Sequence, residues 1–395
     1  MAVNSQPLDY ERLLSRRVQE IKPSGIRKFF DIANEMEDVV ALGVGEPDFK
    51  TPWVVRDAAI QTLERGRTSY SANAGLARLR EEICRYLEKY ALSYDPRSET
   101  IVTVGGSEGI DLAIRALVEP GDEVLIVEPC FVAYAPIVEL IGGKVVPIPT
   151  RAADQFRLTP QALREKITPR TKLLVFPYPN NPTGAIMRRE HLEEIADVLR
   201  DTGVIVLSDE IYSELTYNRR HVSIASLPGM KERTILINGF SKSFSMTGWR
   251  LGYACGPAPI IRQMLKIHQF AIMCAPTTSQ YAAIEALRRC EENIHTMVEE
   301  YDRRRRYIVD GFNRLGLSCF EPEGAFYIFP SIQSTGLTSD EFCERLLYSK
   351  RVAVVPGGAF GASGEGFIRV SYSYSIRHIT EALRRIEAFL EDLHA

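Results

Sequence analysis

A chain of 395 residues is longer than one ordinary hydrophobic core supports, so a large domain with a smaller companion is expected. Its 48 basic and 51 acidic side chains leave a formal net charge of −3, a balance too even to draw nucleic acid or an anionic membrane as partner. Seven cysteines, an odd number without a Cys-x-x-Cys pair, favour reduced thiols in a cytoplasmic protein over a disulfide framework or a zinc site. The histidines show no metal-ligand spacing, so no metal is expected. The opening Met1–Pro7 lacks a basic stretch followed by an apolar one, so no signal peptide is expected, and no apolar run is long enough to span a bilayer.

In chain order, the first amphipathic candidate is Ile26–Met36, with Arg27 and Lys28 at its start. Ala41–Phe49 follows, a Gly/Pro-bounded segment whose Gly43 and Gly45 suggest a backbone running close to something. Thr68–Gly75 is small and polar, ahead of a helix carrying Leu79, Ile83 and Leu87. From residue 101 to about 255 strand-like apolar runs alternate with helical patterns: Glu123–Val127, Lys144–Ile148, Lys172–Phe176, Val204–Leu207, Thr234–Ile237 and Leu251–Cys255. That alternation predicts an α/β fold, a mostly parallel sheet sandwiched by helices. The period then changes to one long helix through Ile294, Met297, Tyr301, Ile308 and Phe312. Its Arg303–Arg306 run reads as a solvated face, offset by Glu299, Glu300 and Asp302. Strands are expected at Phe326–Phe329, Val352–Val355 and Phe367–Ser371, and a closing helix at Ile376, Ile379, Leu383, Ile386 and Leu390. The large domain is placed at residues 50–290, and a smaller α+β domain at 1–49 and 291–395.

Chemistry concentrates in a few stretches. Thr234–Arg250 begins as a buried strand and breaks at Gly239 into a Ser/Thr-rich loop carrying Lys242 and, eight residues on, Arg250. A lysine at the mouth of a buried strand is partly desolvated, which lowers its pKa and makes it a usable nucleophile. Val102–Gly109 turns through Gly105-Gly106 into a helix, and free amides at a helix N-terminus suit a phosphate. It is not a G-x-G-x-x-G fingerprint, so a dinucleotide is not indicated. The apolar run from Val204 ends on Asp209, a carboxylate that is expensive to bury unless paired, although a helix N-cap is the plain alternative. Arg369 sits in an apolar strand, where it wants a bidentate anion or a structural ion pair. Taken alone, Pro177–Gly184 is a turn and Phe131 is core.

The stretch Ser241-Lys242-Ser243-Phe244-Ser245-Met246-Thr247-Gly248-Trp249-Arg250-Leu251-Gly252 resembles the lysine motif of class I and II aminotransferases, the pyridoxal-phosphate enzymes of fold type I. The resemblance implies that Lys242 carries pyridoxal 5′-phosphate on its ε-amine and that Arg250 grips the phosphate. Gly106, Ser107, the Glu108 amide and Ser241 would help, and Tyr70 matches a tyrosine lent by the neighbouring subunit of a homodimer with shared active sites. Ser208-Asp209-Glu210-Ile211-Tyr212 matches the family motif in which Asp209 faces the pyridine nitrogen and Tyr212 reaches the ring oxygen. Asn181, in a likeness of the family's N-P-T-G loop, would bond the same oxygen and touch substrate. Phe131 would stack on the ring where many relatives have tryptophan. Arg369 would take the substrate α-carboxylate, and the Gly45 backbone would lie against that substrate. Gly239 stands where some aspartate enzymes have serine, which leaves more of the phosphate to the other donors.

The catalytic pair expected is therefore Lys242 and Asp209, moving an amino group from an L-amino acid to a 2-oxo acid such as 2-oxoglutarate. Ser24–Phe29 and Gly324–Pro330 resemble aromatic aminotransferases and the branch acting on N-acetyl-diaminopimelate, so an aromatic or broad donor is expected. An aspartate preference would want a further cation, for which Arg27 is a candidate. A pyridoxal-phosphate C–S lyase or decarboxylase on the same scaffold is the alternative. A transcription regulator on this fold would need an attached DNA-binding domain, for which the short N-terminus leaves no room.

Overall fold

The Val-, Ile- and Leu-rich runs become the strands of a seven-stranded sheet in a computed structural model that describes residues 8–23 and 35–394. Most of the expected helix Ile26–Met36, together with Arg27 and the Ser24–Phe29 stretch, lies outside the described residues. Across the sheet the order is Thr100–Thr103, Gly252–Cys255, Thr234–Gly239, Ile205–Asp209, Thr171–Pro177, Glu123–Glu128 and Lys144–Pro149. The last five are mutually parallel. Only Gly252–Cys255 runs against its neighbours, Thr100–Thr103 and Thr234–Gly239. The reason is the connection. The lysine loop returns without a crossover helix, and a strand that returns that way pairs antiparallel.

Central strands are buried on both faces, as a helix-covered parallel sheet requires. Helices such as Ala77–Leu87, Gly105–Leu117, Arg189–Arg200 and Thr277–Arg289 supply the cover. The parallel strands end together at Glu128, Pro177, Asp209 and Gly239, and that edge is where ligands of such sheets bind.

A second hydrophobic cluster lies under the helices Glu291–Arg314, Ser339–Lys350 and Ile376–His394. Here a three-stranded antiparallel sheet runs in the order Val355–Pro356, Ile368–Ser371, Tyr327–Ile328. The single strand expected at Val352–Val355 is in fact two. Val352–Ala353 pairs in parallel with Val40–Ala41, while Val355–Pro356 joins the antiparallel sheet. Buried Val354 is the hand-over between them. The pairing with Val40–Ala41 delivers the segment Gly43–Phe49 toward the strand ends. No helix among the described residues is long and apolar enough to cross a membrane.

The arginine run corrects the sequence reading. Arg303 and Arg306 are exposed, but Arg304 and Arg305 are only 6% and 2% exposed. Consecutive helical residues point about 100° apart, so four in a row cannot share one solvated face. Arg304 pairs with Asp48 and Glu300, both at 2.8 Å. Arg305 pairs with Asp302 at 2.6 Å and Glu321 at 2.7 Å, and donates to the Pro322 carbonyl at 2.9 Å. Replacing Arg305 with alanine removes those bonds and leaves the Pro322 carbonyl without its donor, and should lower stability by about 2–3 kcal/mol. Arg306→Ala should stay within about 0.5 kcal/mol of wild type. Urea unfolding of the two variants checks the contrast.

Candidate active site

A cavity of about 320 Å³ opens at the carboxyl edge of the large sheet. It is lined by Gly106, Ser107, Phe131, Asn181, Asp209, Tyr212, Ser241, Lys242 and Arg250 from that side, and by Gly45 and Arg369 from the other. Two of the expected residues stand apart. Tyr70 is 80% exposed and does not line the cavity of its own chain. Glu108 turns its carboxylate away, accepting from the Val104 amide at 2.5 Å and from His268 Nδ1 at 2.8 Å. Only its backbone amide is left for a ligand.

The helix Gly105–Leu117 begins on Gly105 at φ +73°, a left-handed start that an L side chain resists. A Cβ there would stand 2.8 Å from Arg250 Nη2, so the guanidinium lies directly on the turn. Arg250 is itself left-handed, at φ 51°, and donates to the Thr247 carbonyl at 3.0 Å. The result is a cationic fork beside unpartnered helix-start amides, with the Ser107 and Ser241 side chains on the same cavity.

Lys242 leaves its strand on a loop pinned by buried Phe240, Phe244 and Met246. Thr51 Oγ1 holds the Ser245 carbonyl at 2.6 Å and accepts from Trp249 Nε1 at 3.1 Å. The lysine Nζ donates to the Gly45 carbonyl at 2.7 Å. Burial pulls its pKa down to about 8; Arg369 and Arg250 reinforce the shift, while Glu46 and Asp209 oppose it.

Asp209 is 8% exposed. Its Oδ2 accepts from the Tyr134 phenol at 2.6 Å and its Oδ1 from the Ile211 amide at 3.2 Å. Burial raises its pKa, and those two bonds work against the rise. The Ile211 N–H donates from just beyond the strand end. No lysine, arginine or histidine among the described residues lies within ion-pair distance of this carboxylate. Tyr212 is buried with its hydroxyl 2.9 Å from that of Tyr327.

Arg369 is 3% exposed and stacks over Tyr327 and Phe360, at 4.6 and 4.8 Å from the ring centroids. It donates to Asn181 Oδ1 at 3.0 Å and to the Gly43 carbonyl at 2.6 Å, and its Nε is buried without an acceptor. Among the described residues it has no carboxylate partner, so the ion-pair alternative is not what the strand supports. Asn181 lies in a turn closed by its neighbour Asn180, whose Oδ1 accepts from the Thr183 amide and hydroxyl at 3.0 and 2.8 Å.

The sequence pointed to most of this cavity but missed Tyr134, Tyr327 and Glu46, which also line it. Their only signals were an aromatic three residues after Phe131, the Gly324–Pro330 stretch, and an acid after Gly45. The depressed lysine gives a direct check. Among the lysines, Lys242 should be carbamylated first by small cyanate in the cofactor-free protein, at a rate that rises with pH and levels off above about 8. Peptide mapping of the labelled protein separates Lys242 from the other lysines.

A model of the family described as Aminotransferase class I and II matches residues 37–386. The Putative aminotransferase YugH of Bacillus subtilis (strain 168) is 55% identical over 378 residues, 95% of this chain and 98% of its own. The Aspartate aminotransferase of Pyrococcus abyssi is 46% identical over 383 residues, covering 96% of this chain and 98% of its own. Among solved structures, the aromatic aminotransferase from Pyrococcus horikoshii OT3 is similar with a TM-score of 0.88 at 45% identity, covering 92% of this chain and 99% of that one. These relatives bear the names of amino-group-transferring enzymes, and the lyase or decarboxylase alternative is not favoured. The chain belongs to the class I and II aminotransferases, a pyridoxal-phosphate-dependent family, and is an enzyme of amino-group transfer.

Proposed function

We propose that this enzyme takes the amino group of an aromatic or a broad range of L-amino acids and delivers it to a 2-oxo acid such as 2-oxoglutarate, as a cytoplasmic homodimer using pyridoxal 5′-phosphate. The observation that carries the reading is Arg369: a buried guanidinium with an orphaned Nε, beside a cavity that also holds an amine of lowered pKa. The side chains present fit the cofactor. Lys242 offers an amine for its aldehyde, Asp209 a buried anion for a protonated ring nitrogen, and Phe131 an aromatic face. Arg250, Ser107, Ser241 and the amides of Gly106 and Glu108 suit its phosphate. Pyridoxal phosphate, when bound, supplies the carbonyl that receives the amino group and the ring that withdraws electrons from the donor's Cα.

The chain's own part is binding and proton transfer. Arg369 and Asn181 would hold the donor α-carboxylate with the Gly45 backbone against it. Lys242 would remove the Cα proton and carry it across, a role suited to an amine with pKa about 8. Asp209 would keep the ring nitrogen charged. On the proposed division, residues 50–290 hold the cofactor, while Gly45 and Arg369 bring substrate contacts from 1–49 and 291–395. Tyr70 is exposed between Ser69 and Ser71, which are tied to Thr277 and Gln280, and would reach the partner's phosphate. Seven free cysteines, all but Cys274 buried, agree with a reducing compartment.

Donor choice follows from charge. The cations lining the cavity are Lys242, Arg250 and Arg369, each with a role, and Glu46 adds an acid. Among the described residues no further cation is left for a donor's side-chain carboxylate. An aspartate or N-acetyl-diaminopimelate preference would need one from elsewhere, such as Arg27. Incubating the loaded enzyme with single amino acids and following loss of its visible absorbance tests this. Phenylalanine and tyrosine should respond; a response to aspartate alone would overturn the donor assignment. Arg369→Ala should raise KM for the donor about 100-fold, while cofactor affinity stays within about twofold of wild type. Borohydride reduction of the loaded enzyme should fix the cofactor to Lys242, as peptide mapping would reveal.

A further inference from the structure

Tyr134 opens the short helix Tyr134–Leu140 and is 2% exposed in the apolar cluster beneath the cavity. Its ring meets Phe131 edge-on, with centroids 5.9 Å apart. Packing alone would be served as well by phenylalanine. The hydroxyl, however, donates to Asp209 Oδ2 at 2.6 Å, within the range of a strong charge-assisted bond. The Ile211 amide holds the other oxygen at 3.2 Å, so the carboxylate is fixed from two directions.

We propose that Tyr134 is a positioning residue that acts on the cofactor through Asp209, holding that carboxylate still and ionised for the ring nitrogen. The inference rests on the pyridoxal-phosphate reading above. Ionised, the buried carboxylate is otherwise disfavoured. Its titratable surroundings are few. Glu210 turns the other way, to Ser208, Ser223 and His221 at 2.8, 2.6 and 2.8 Å. Lys242 and Tyr212 line the cavity, and Cys130 flanks the phenol. None of them bonds Asp209. Tyr134 and one backbone amide are therefore its hydrogen-bond donors among the described residues, and the Lys242 charge adds only a through-space attraction.

The test compares four cofactor-free proteins: wild type, Tyr134→Phe, Asp209→Asn and the double variant. Each is titrated with pyridoxal 5′-phosphate by quenching of intrinsic fluorescence across the acid and neutral range. Tyr134→Phe should bind about tenfold more weakly, the loss of one charge-assisted bond. Without the donor the carboxylate protonates sooner as pH falls, so the acid loss of affinity should begin at higher pH than in wild type. The cofactor phosphate titrates alike in all four proteins, so differences between them report the carboxylate. If Tyr134 acts through Asp209, removing its hydroxyl from Asp209→Asn should change nothing more. A role in packing predicts instead that the two losses add, and that outcome overturns the inference. So does a Tyr134→Phe protein that matches wild type in affinity and acid limb. If wild type takes up no pyridoxal phosphate, or Asp209→Asn binds as wild type does, the functional reading falls and this inference with it. Wild type and Asp209→Asn behaving as expected, with Tyr134→Phe unchanged, removes the tyrosine's role alone.

Discussion

Two charges are buried at this site without an opposite charge in contact among the described residues: the Asp209 carboxylate and the Arg369 guanidinium. Burying either one unpaired is unfavourable by several kcal/mol unless hydrogen bonds or a ligand replace water. The surrounding structure does this only in part. Asp209 receives a phenol and an amide; Arg369 uses two of its five N–H groups and lies between two aromatic rings. What is left over is specific: an anion that suits a cationic ring and a fork that suits a carboxylate. On the proposed function the unsatisfied remainder is where ligand charge would be received, beside Lys242 with its own pKa drawn down.

The side proposed for the phosphate is shaped by close backbone packing, and that packing depends on side chains being absent. A Cβ on Gly252 would stand 2.6 Å from Gly105 C and 2.7 Å from Gly106 N. The antiparallel strand that follows the lysine loop can therefore lie directly beneath the turn that starts the helix Gly105–Leu117. Gly239 continues the contact, since its Cβ would meet the Gly252 Cα at 3.0 Å and the Leu251 carbonyl at 3.1 Å. The serine found here in some aspartate enzymes would need this packing to give way by a few tenths of an ångström.

Much of this was legible because short-range pattern and local chemistry agree. Parallel strands buried on both faces need continuous apolar runs, so Leu173–Phe176 and Ile235–Ile237 identify themselves. Asp209 and Lys242 were legible as polar residues at the ends of such runs. What was not legible depends on partners far along the chain. Arg305 looks solvated until Glu321 and Pro322 close over it. Glu108 is called to His268, 160 residues on, and its carboxylate is lost to the cavity although its amide is not. Tyr134 looks like one more core aromatic, because no local pattern shows that Asp209, 75 residues later, stands at its hydroxyl. The Val352–Val355 run gives no hint of changing sheets at Val354, since both partners are supplied from elsewhere.

The segment Gly43–Phe49 shows how the two halves of the site depend on one another. Arg369 holds its Gly43 carbonyl, Arg304 holds its Asp48, and Lys242 donates to its Gly45. Gly45 has no room for a side chain, because a Cβ there would stand 2.5 Å from the Tyr327 hydroxyl. The guanidinium proposed to grip a donor's carboxylate thus also fixes the backbone proposed to lie along that donor. The lysine proposed to move its proton is bonded to the same stretch. Any carboxylate that draws Arg369 toward itself acts on Gly43, and through two residues of backbone on the carbonyl that holds the lysine amine. Anchoring of such a donor and release of that amine would in this way be joined by a path of three hydrogen-bonded groups.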